Sequence, residues 1–261
     1  MLRIEKFSDD EVYSLELAAI LKSLYSSIFS PPDNMSLDEK IKTFHPEKSA
    51  SKKIIIYYDG EKPVGYLCMQ RYLFDIDNKK TNVFRSQAGF IEKYRNNNLM
   101  KSSYIKMVTA EIVKNRYPSY FFAVCIHPSS YRASVKNSLM NHTWPTRRNY
   151  TSNNKMKANC RNISDLFDLK VIESDGVFVS PTNFGTAHGS QAAKDNTNRD
   201  ADFFLKKNKG YEQGEGLVVI SKISFSDIAY RLLGHSLSKM KRKLYRRRAK
   251  IRQFDTVEKA E

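Results

Sequence analysis

Cysteine is scarce in this sequence. Only Cys68, Cys125 and Cys160 occur in 261 residues, an odd number at wide spacing. Two of them fall in apolar, strand-like runs, so they read as structural thiols rather than a disulfide framework. Long hydrophobic runs are missing too, none approaching the roughly 18 residues that a membrane helix needs. The N-terminal stretch lacks the basic and apolar blocks of a secretory signal, which makes cytoplasmic the expected location. There is no Gly-x-Ser-x-Gly elbow, no Walker loop and no zinc spacing, which argues against serine-hydrolase, nucleotide-hydrolysing and metal-dependent chemistry. Negative charge is the scarcer sign, with 28 acidic residues against 44 basic ones and a net charge of +16. That balance favours anionic partners and salt-sensitive binding.

The sequence does have enough apolar residues, 41%, for a sizeable core. Residues 1–7 alternate as a strand, and Ser8 with Glu11 forms a capping-box pattern ahead of a helix with the stripe Leu17, Leu21, Leu24, Ile28. Pro31-Pro32 should stop that helix. Residues 54–58 and 64–72 are β-branched and aromatic runs around Asp59-Gly60-Glu61-Lys62-Pro63, the chemistry of an antiparallel hairpin. A further strand covers residues 81–91, with Gly89 marking a bulge or a close backbone approach. Residues 120–126 form a continuous apolar run, predicted to be a buried strand parallel to the 81–91 strand.

Between these two strands lies the most informative segment. The strand ends in a short turn, Arg95-Asn96-Asn97-Asn98, and a helix with the stripe Met100, Tyr104, Val108, Ile112 follows. The first turn of a helix leaves backbone N–H groups unpaired and carries about half a positive charge, so such a turn can hold a pyrophosphate. Arg95 and Lys101 add mobile charge beside it.

This turn resembles the phosphate loop of the GNAT superfamily of acyl-CoA-dependent N-acyltransferases, in which a strand leads to Arg or Gln, two residues, Gly, one residue, and Gly or Ala. The corresponding slots here hold Arg95, Asn98 and Met100, so both glycine positions are substituted. Asn tolerates a left-handed backbone, and Met100 is expected to turn toward the buried helix face. The resemblance covers residues 1–140 and implies a mixed α/β fold, α+β-like, with a GNAT-type central mixed sheet flanked by helices and an elaborated C-terminal half. It implies that the 81–91 and 120–126 strands splay apart around the pantetheine arm, with Phe90 and Ile91 pairing to it. Asn96, Asn97, Asn98, Leu99, Met100, Lys101 and Arg95 would bind the pyrophosphate of acetyl-CoA or a longer acyl-CoA, with no metal. Tyr131, in the segment after the second strand, becomes the candidate acid for the departing thiolate, with core packing as its alternative role. Glu92 becomes the candidate base.

The second half is less regular. Residues 169–173 and 177–179 read as short strands around a Ser174-Asp175-Gly176 turn, and residues 183–202 as a mobile loop poor in large apolar side chains. Phe203-Phe204-Leu205 and Asn208-Lys209-Gly210-Tyr211 precede a last strand at 217–220, an ending that resembles larger GNAT-like bacterial proteins. Basic residues concentrate in 147–161 and again in 239–252, where nine Lys or Arg residues and no acid lie on an amphipathic helical pattern. The organisation expected is an acyltransferase domain over 1–232 and a basic helix or tail over 233–261. The function expected is acyl transfer from acyl-CoA, or from an acyl carrier protein, to a small-molecule or peptide amine. The alternative is a non-catalytic GNAT-like protein that binds nucleic acid through its basic surface and terminal helix, which would equally suit an anionic membrane surface.

Overall fold

The computed structural model describes residues 2–229 except 10, 12–13, 31–35, 45, 96–98, 137–141, 183–185, 188–197 and 227. Residues 1–223 form one compact unit and residues 224–261 a separate one. The terminal helix expected over 233–261 lies outside the described residues. Among the described residues no helix is long and apolar enough to cross a membrane.

The first unit is built on a nine-stranded sheet. Strand β1 (Arg3–Ser8) leads to helix α1 (Leu15–Ile28), whose predicted stripe Leu17, Leu21, Leu24 and Ile28 is buried. Ser8 and Glu11 do bond, with the Ser8 N–H donating to the carboxylate at 3.0 Å. The helix nevertheless starts later, because Ser14 is the N-cap and accepts from the Leu17 N–H at 3.2 Å. After the two-residue strand β2 (Phe29–Ser30) comes a helix that the sequence reading omits, α2 (Leu37–Lys42). Its signal was present in Ser36-x-x-Glu39, a reciprocal capping box in the structure.

Strands β3 (Ser51–Asp59), β4 (Lys62–Ile76) and β5 (Lys79–Phe90) form an antiparallel meander. The first turn uses Gly60 at φ 61°, and the second uses Asp77 and Asn78 at φ 51° and 58°, left-handed positions that suit Gly, Asn and Asp. The β4–β5 ladder runs from Gly65↔Phe90 to Ile76↔Lys79 without a shift, so Gly89 marks no bulge. It marks a close approach, since a Cβ there would stand 2.9 Å from an Ile28 methyl.

Helix α3 (Leu99–Asn115) returns the chain to β6 (Ser119–Cys125), which lies parallel to β5, as expected. Helix α4 (Pro128–Lys136), strand β7 (Thr143–Trp144) and helix α5 (Asn154–Leu166) follow, then the hairpin β8 (Ile172–Ser174) and β9 (Val177–Ser180). The loop expected over 183–202 is shorter than that. Thr186–Ala187 forms β10, paired with β2, and α6 (Arg199–Lys207) begins behind the N-cap Asn198. Strand β11 (Gly216–Ile223) inserts between β6 and β9 and completes the order β1-β3-β4-β5-β6-β11-β9-β8, with β7 also on β11. Every pairing is antiparallel except β5–β6. Strand, helices, hairpin, long strand, helix, parallel strand and helix follow in that order, a mixed α/β fold with a central sheet flanked by helices.

One sheet face carries α1 and α2 over Ile54, Ile56, Tyr66 and Cys68, and the other carries α3 over Tyr57, Val64, Leu67 and Phe90. All three cysteines are buried and free.

Candidate active-site cleft

The cleft follows from where a strand pair stops pairing. β5 and β6 are joined at Asn82↔Ser119, Val83↔Tyr120 and Phe84↔Phe121, and beyond these the two strands continue without pairing. A polar chain pins the vertex. The Asn82 N–H donates to the Pro118 carbonyl at 2.8 Å, and the Asn82 amide donates to Ser119 Oγ at 3.2 Å and accepts from Arg71 at 3.2 Å. Arg71 in turn meets Glu111 of α3, which also binds Lys53 at 2.6 Å. Burial alone would raise the Glu111 carboxyl, but the Lys53 hydrogen bond and the charges of Lys53, Arg71 and Lys114 outweigh it and hold the group below its ordinary value.

Past the vertex, the exposed edge of β5 has a definite register. In an antiparallel ladder alternate residues turn both backbone groups to the same side. Ile91 donates its N–H to the Val64 carbonyl at 3.0 Å, which sets Arg85, Gln87, Gly89 and Ile91 toward β4. Ser86, Ala88 and Phe90 therefore point their N–H and C=O into the opening. Of the two residues expected to pair with the pantetheine arm, Phe90 turns its backbone toward the opening and Ile91 turns its N–H to β4. Ser86 and Ala88 share that side with Phe90, a parity visible only once the strand's partner is known.

The mouth of the cleft is built by the turn after β5. Tyr94 donates its hydroxyl to Asp59 at 2.6 Å, tying the turn to the β3–β4 hairpin, and Arg95 Nε donates to the Phe90 carbonyl at 3.2 Å. Arg95 thus stands where the free edge ends and α3 begins. Met100 packs with Phe90, Val64 and Leu67, as its place in the stripe required. Lys101 sits half-buried in the first turn of α3, and Leu99 opens that helix. Asn96, Asn97 and Asn98 lie outside the described residues.

The two candidate catalytic groups sit in different surroundings. Tyr131 is 0% exposed, and its hydroxyl donates to the Pro145 carbonyl at 3.1 Å. Its ring lies against Phe203 and Phe204. Burial, with the nearby charges of Asp200 and Cys125, pushes the phenol well above its ordinary value. The hydroxyl is thus sealed in the core and bonded to a carbonyl, the arrangement of the packing role that was its alternative. Glu92 is exposed at the start of the turn.

The basic segment 147–161 also reads differently in three dimensions. Met156, Cys160 and Ile163 of α5 pack into the core beside Phe122 and Trp144. Its cations are engaged, Lys157 with Glu173, Arg147 with Asp200 at 3.6 Å, and Arg161 over the Phe178 ring at 4.4 Å. At the opposite end of β5, Asp75, Asp77 and Asp165 line a shallow depression whose charge is wrong for an anionic ligand.

No protein-family profile and no curated protein matches the chain. Among solved structures, it is similar to a protein of unknown function from Enterococcus faecalis described as a probable N-acyltransferase (12% identity, TM-score 0.37). That match spans 51% of this chain and only 32% of the other. It is also similar to a ribosomal-protein-alanine N-acetyltransferase from Brucella melitensis (9% identity, 46% and 77% coverage, TM-score 0.32). A third is an aminoglycoside 6'-N-acetyltransferase complexed with coenzyme A (10% identity, 85% and 97% coverage, TM-score 0.37). At these identities and scores the likeness says nothing of activity.

Proposed function

We propose, for a chain whose strand order and single parallel step are those of the GNAT fold, that it transfers an acyl group from acyl-CoA to an amine. The observation that carries this reading is the parting of β5 from β6 after Phe84 and Phe121, with the free edge of Ser86, Ala88 and Phe90 facing the gap and Arg95 at its mouth. A pantetheine arm is an amide chain, and a strand edge turning the N–H and C=O of Ser86 and Ala88 and the N–H of Phe90 into the gap is its natural partner, the Phe90 carbonyl being taken by Arg95. The pyrophosphate would meet Arg95, Lys101 and the first N–H groups of α3.

The amine attacks the thioester carbonyl, a C–N bond forms, and collapse of the tetrahedral intermediate breaks the C–S bond. A backbone N–H from Ser86 or Ala88 stabilises the oxyanion, a contribution of about 3 kcal/mol per donor. With Tyr131 in the core, the reading routes proton transfer through solvent. The amine enters neutral, its proton passes to water after attack, and the thiolate is protonated by solvent. The rate should therefore rise with pH toward the amine's own pKa, and a bell-shaped profile would restore a protein acid.

The experiment is a thermal melt with and without acetyl-CoA and a long-chain acyl-CoA. A ligand at about 100 times its dissociation constant adds roughly 2.7 kcal/mol. Stabilisation of the wild type that vanishes in Arg95→Glu supports the cleft. The absence of any shift with either ligand would overturn it.

A further inference from the structure

A carboxylate stands beside the mouth of the cleft, where an anionic ligand would gain least from one. Asp59 is the last residue of β3, paired with Lys62 across the hairpin turn, and its carboxylate accepts the Tyr94 hydroxyl at 2.6 Å. Tyr94 directly precedes Arg95, so the acid lies one side chain's length from the turn whose cation would meet a pyrophosphate. As a bare charge, that carboxylate repels such a ligand.

The connection that carries Arg95 is weakly built by itself. Glu92–Tyr94 is a single turn of 3-10 helix with no side-chain cap and no buried residue. Its backbone bonds are local, from the Tyr94 N–H to the Ile91 carbonyl at 2.8 Å and from the Arg95 N–H to the Glu92 carbonyl at 3.0 Å. Such turns have poorer hydrogen-bond geometry than an α-helix and open at little cost. The Tyr94 ring packs at the margin of the cluster of Tyr57, Val64 and Phe90, and its hydroxyl reaches the hairpin. The far end is firm, because Asp59 closes a strand of nine residues and Gly60 at φ 61° fixes the tight turn after it. The Asp59 hydrogen bond, with burial and the same carboxylate's charge, holds the phenol above its ordinary value and keeps it a donor at neutral pH. Arg95 is held from the other side, its Nε donating to the Phe90 carbonyl at 3.2 Å.

We infer that Tyr94 and Asp59 are positioning residues for the donor's diphosphate, their bond latching the turn so that Arg95 meets the pyrophosphate from backbone already ordered. This rests on the acyltransferase reading. A turn tied to a rigid hairpin spares the ligand the cost of ordering it, and a guanidinium fork aimed in advance loses less on binding. The sign of the effect is distinctive: as a plain charge Asp59 would weaken donor binding, and as a latch it strengthens it.

The test is calorimetric titration of acetyl-CoA into the full chain, wild type and variants, with the melting temperature of each measured without ligand. Expected is about a tenfold loss of affinity in Tyr94→Phe, which removes only the hydroxyl, and a similar loss in Asp59→Ala. Asp59→Asn keeps an oxygen acceptor and should stay within about threefold of the wild type. The double variant Tyr94→Phe/Asp59→Ala should lose no more than either single one, because the two residues act as a unit. Unliganded melting temperatures should stay together, since the bond is exposed. Unchanged affinity in Tyr94→Phe, tighter binding in Asp59→Ala, or losses matched by a fall in unliganded melting temperature would overturn the latch and leave the acyltransferase reading standing. Failure of the wild type itself to bind acetyl-CoA would overturn that reading and the latch with it.

Discussion

Gly65 lies across the β4–β5 ladder from Phe90, and a Cβ built on it would stand 2.3 Å from that ring. The ring packs on Tyr57 at 4.9 Å, leaving it no room to retreat. Gly65→Ala is expected to cost about 1–3 kcal/mol through overpacking. In a chain of this size that is a fall of several degrees in melting temperature, at about 2–4 °C per kcal/mol. Because Phe90 borders the cleft, acetyl-CoA affinity should fall with it. Tyr131→Phe offers the opposite contrast. It leaves the Pro145 carbonyl without its donor and should lower stability by roughly 1–3 kcal/mol while kcat stays within about twofold. A collapse of kcat with unchanged melting would return Tyr131 to catalysis. The thiols also follow burial, which pushes Cys125 up to about 11 and Cys68 well above its ordinary value. In the native protein both should resist iodoacetamide at neutral pH and react only on unfolding.

At the scale of elements, α3 is fastened to the sheet by charge as well as by its apolar stripe. Glu111 on the helix meets Lys53 of β3 and Arg71 of β4, and Arg71 passes the connection to Asn82 at the vertex of the cleft. Glu111→Gln leaves two cations without their counter-charge and is expected to destabilise by about 3 kcal/mol, read from the urea midpoint at neutral pH. The pH dependence has a definite sign. The folded carboxyl lies below its unfolded value of about 4.3, so its contribution is complete above that pH and is lost as pH falls through the folded value. The difference between wild type and Glu111→Gln should therefore be constant from pH 7 to about 5 and shrink below about 4. A gap that persisted in acid would show that packing, not charge, anchors the helix. The strands and helices themselves were legible to differing degrees. The α1 and α3 stripes and the hairpin turns follow from periodicity and turn chemistry. By contrast α2 is only six residues long, and α6 starts inside a segment of loop-like composition because Asn198 caps it and Phe203 and Phe204 find a core.

At the scale of the molecule, the charge of +16 concentrates toward the C-terminal basic stretch, while the described residues of the cleft lie in residues 1–223. Removing residues 239–261 should leave the acetyl-CoA thermal shift intact, since the described residues of the cleft come from β4 to β6. If nucleic acid were the partner, the same truncation would abolish binding and its steep salt slope. Loss of the acetyl-CoA shift on truncation would mean that the terminal segment completes the donor site. The sequence by itself determined the stripes of α1 and α3, the strands of the antiparallel meander and the basic turn ahead of α3. Each of these is a local matter of side-chain period, capping and turn residues. Only the tertiary structure decided where β5 and β6 part, which backbone groups face the gap, and that Tyr131 is core. Those outcomes depend on register and on contacts between residues tens of positions apart, and local periodicity carries no record of them.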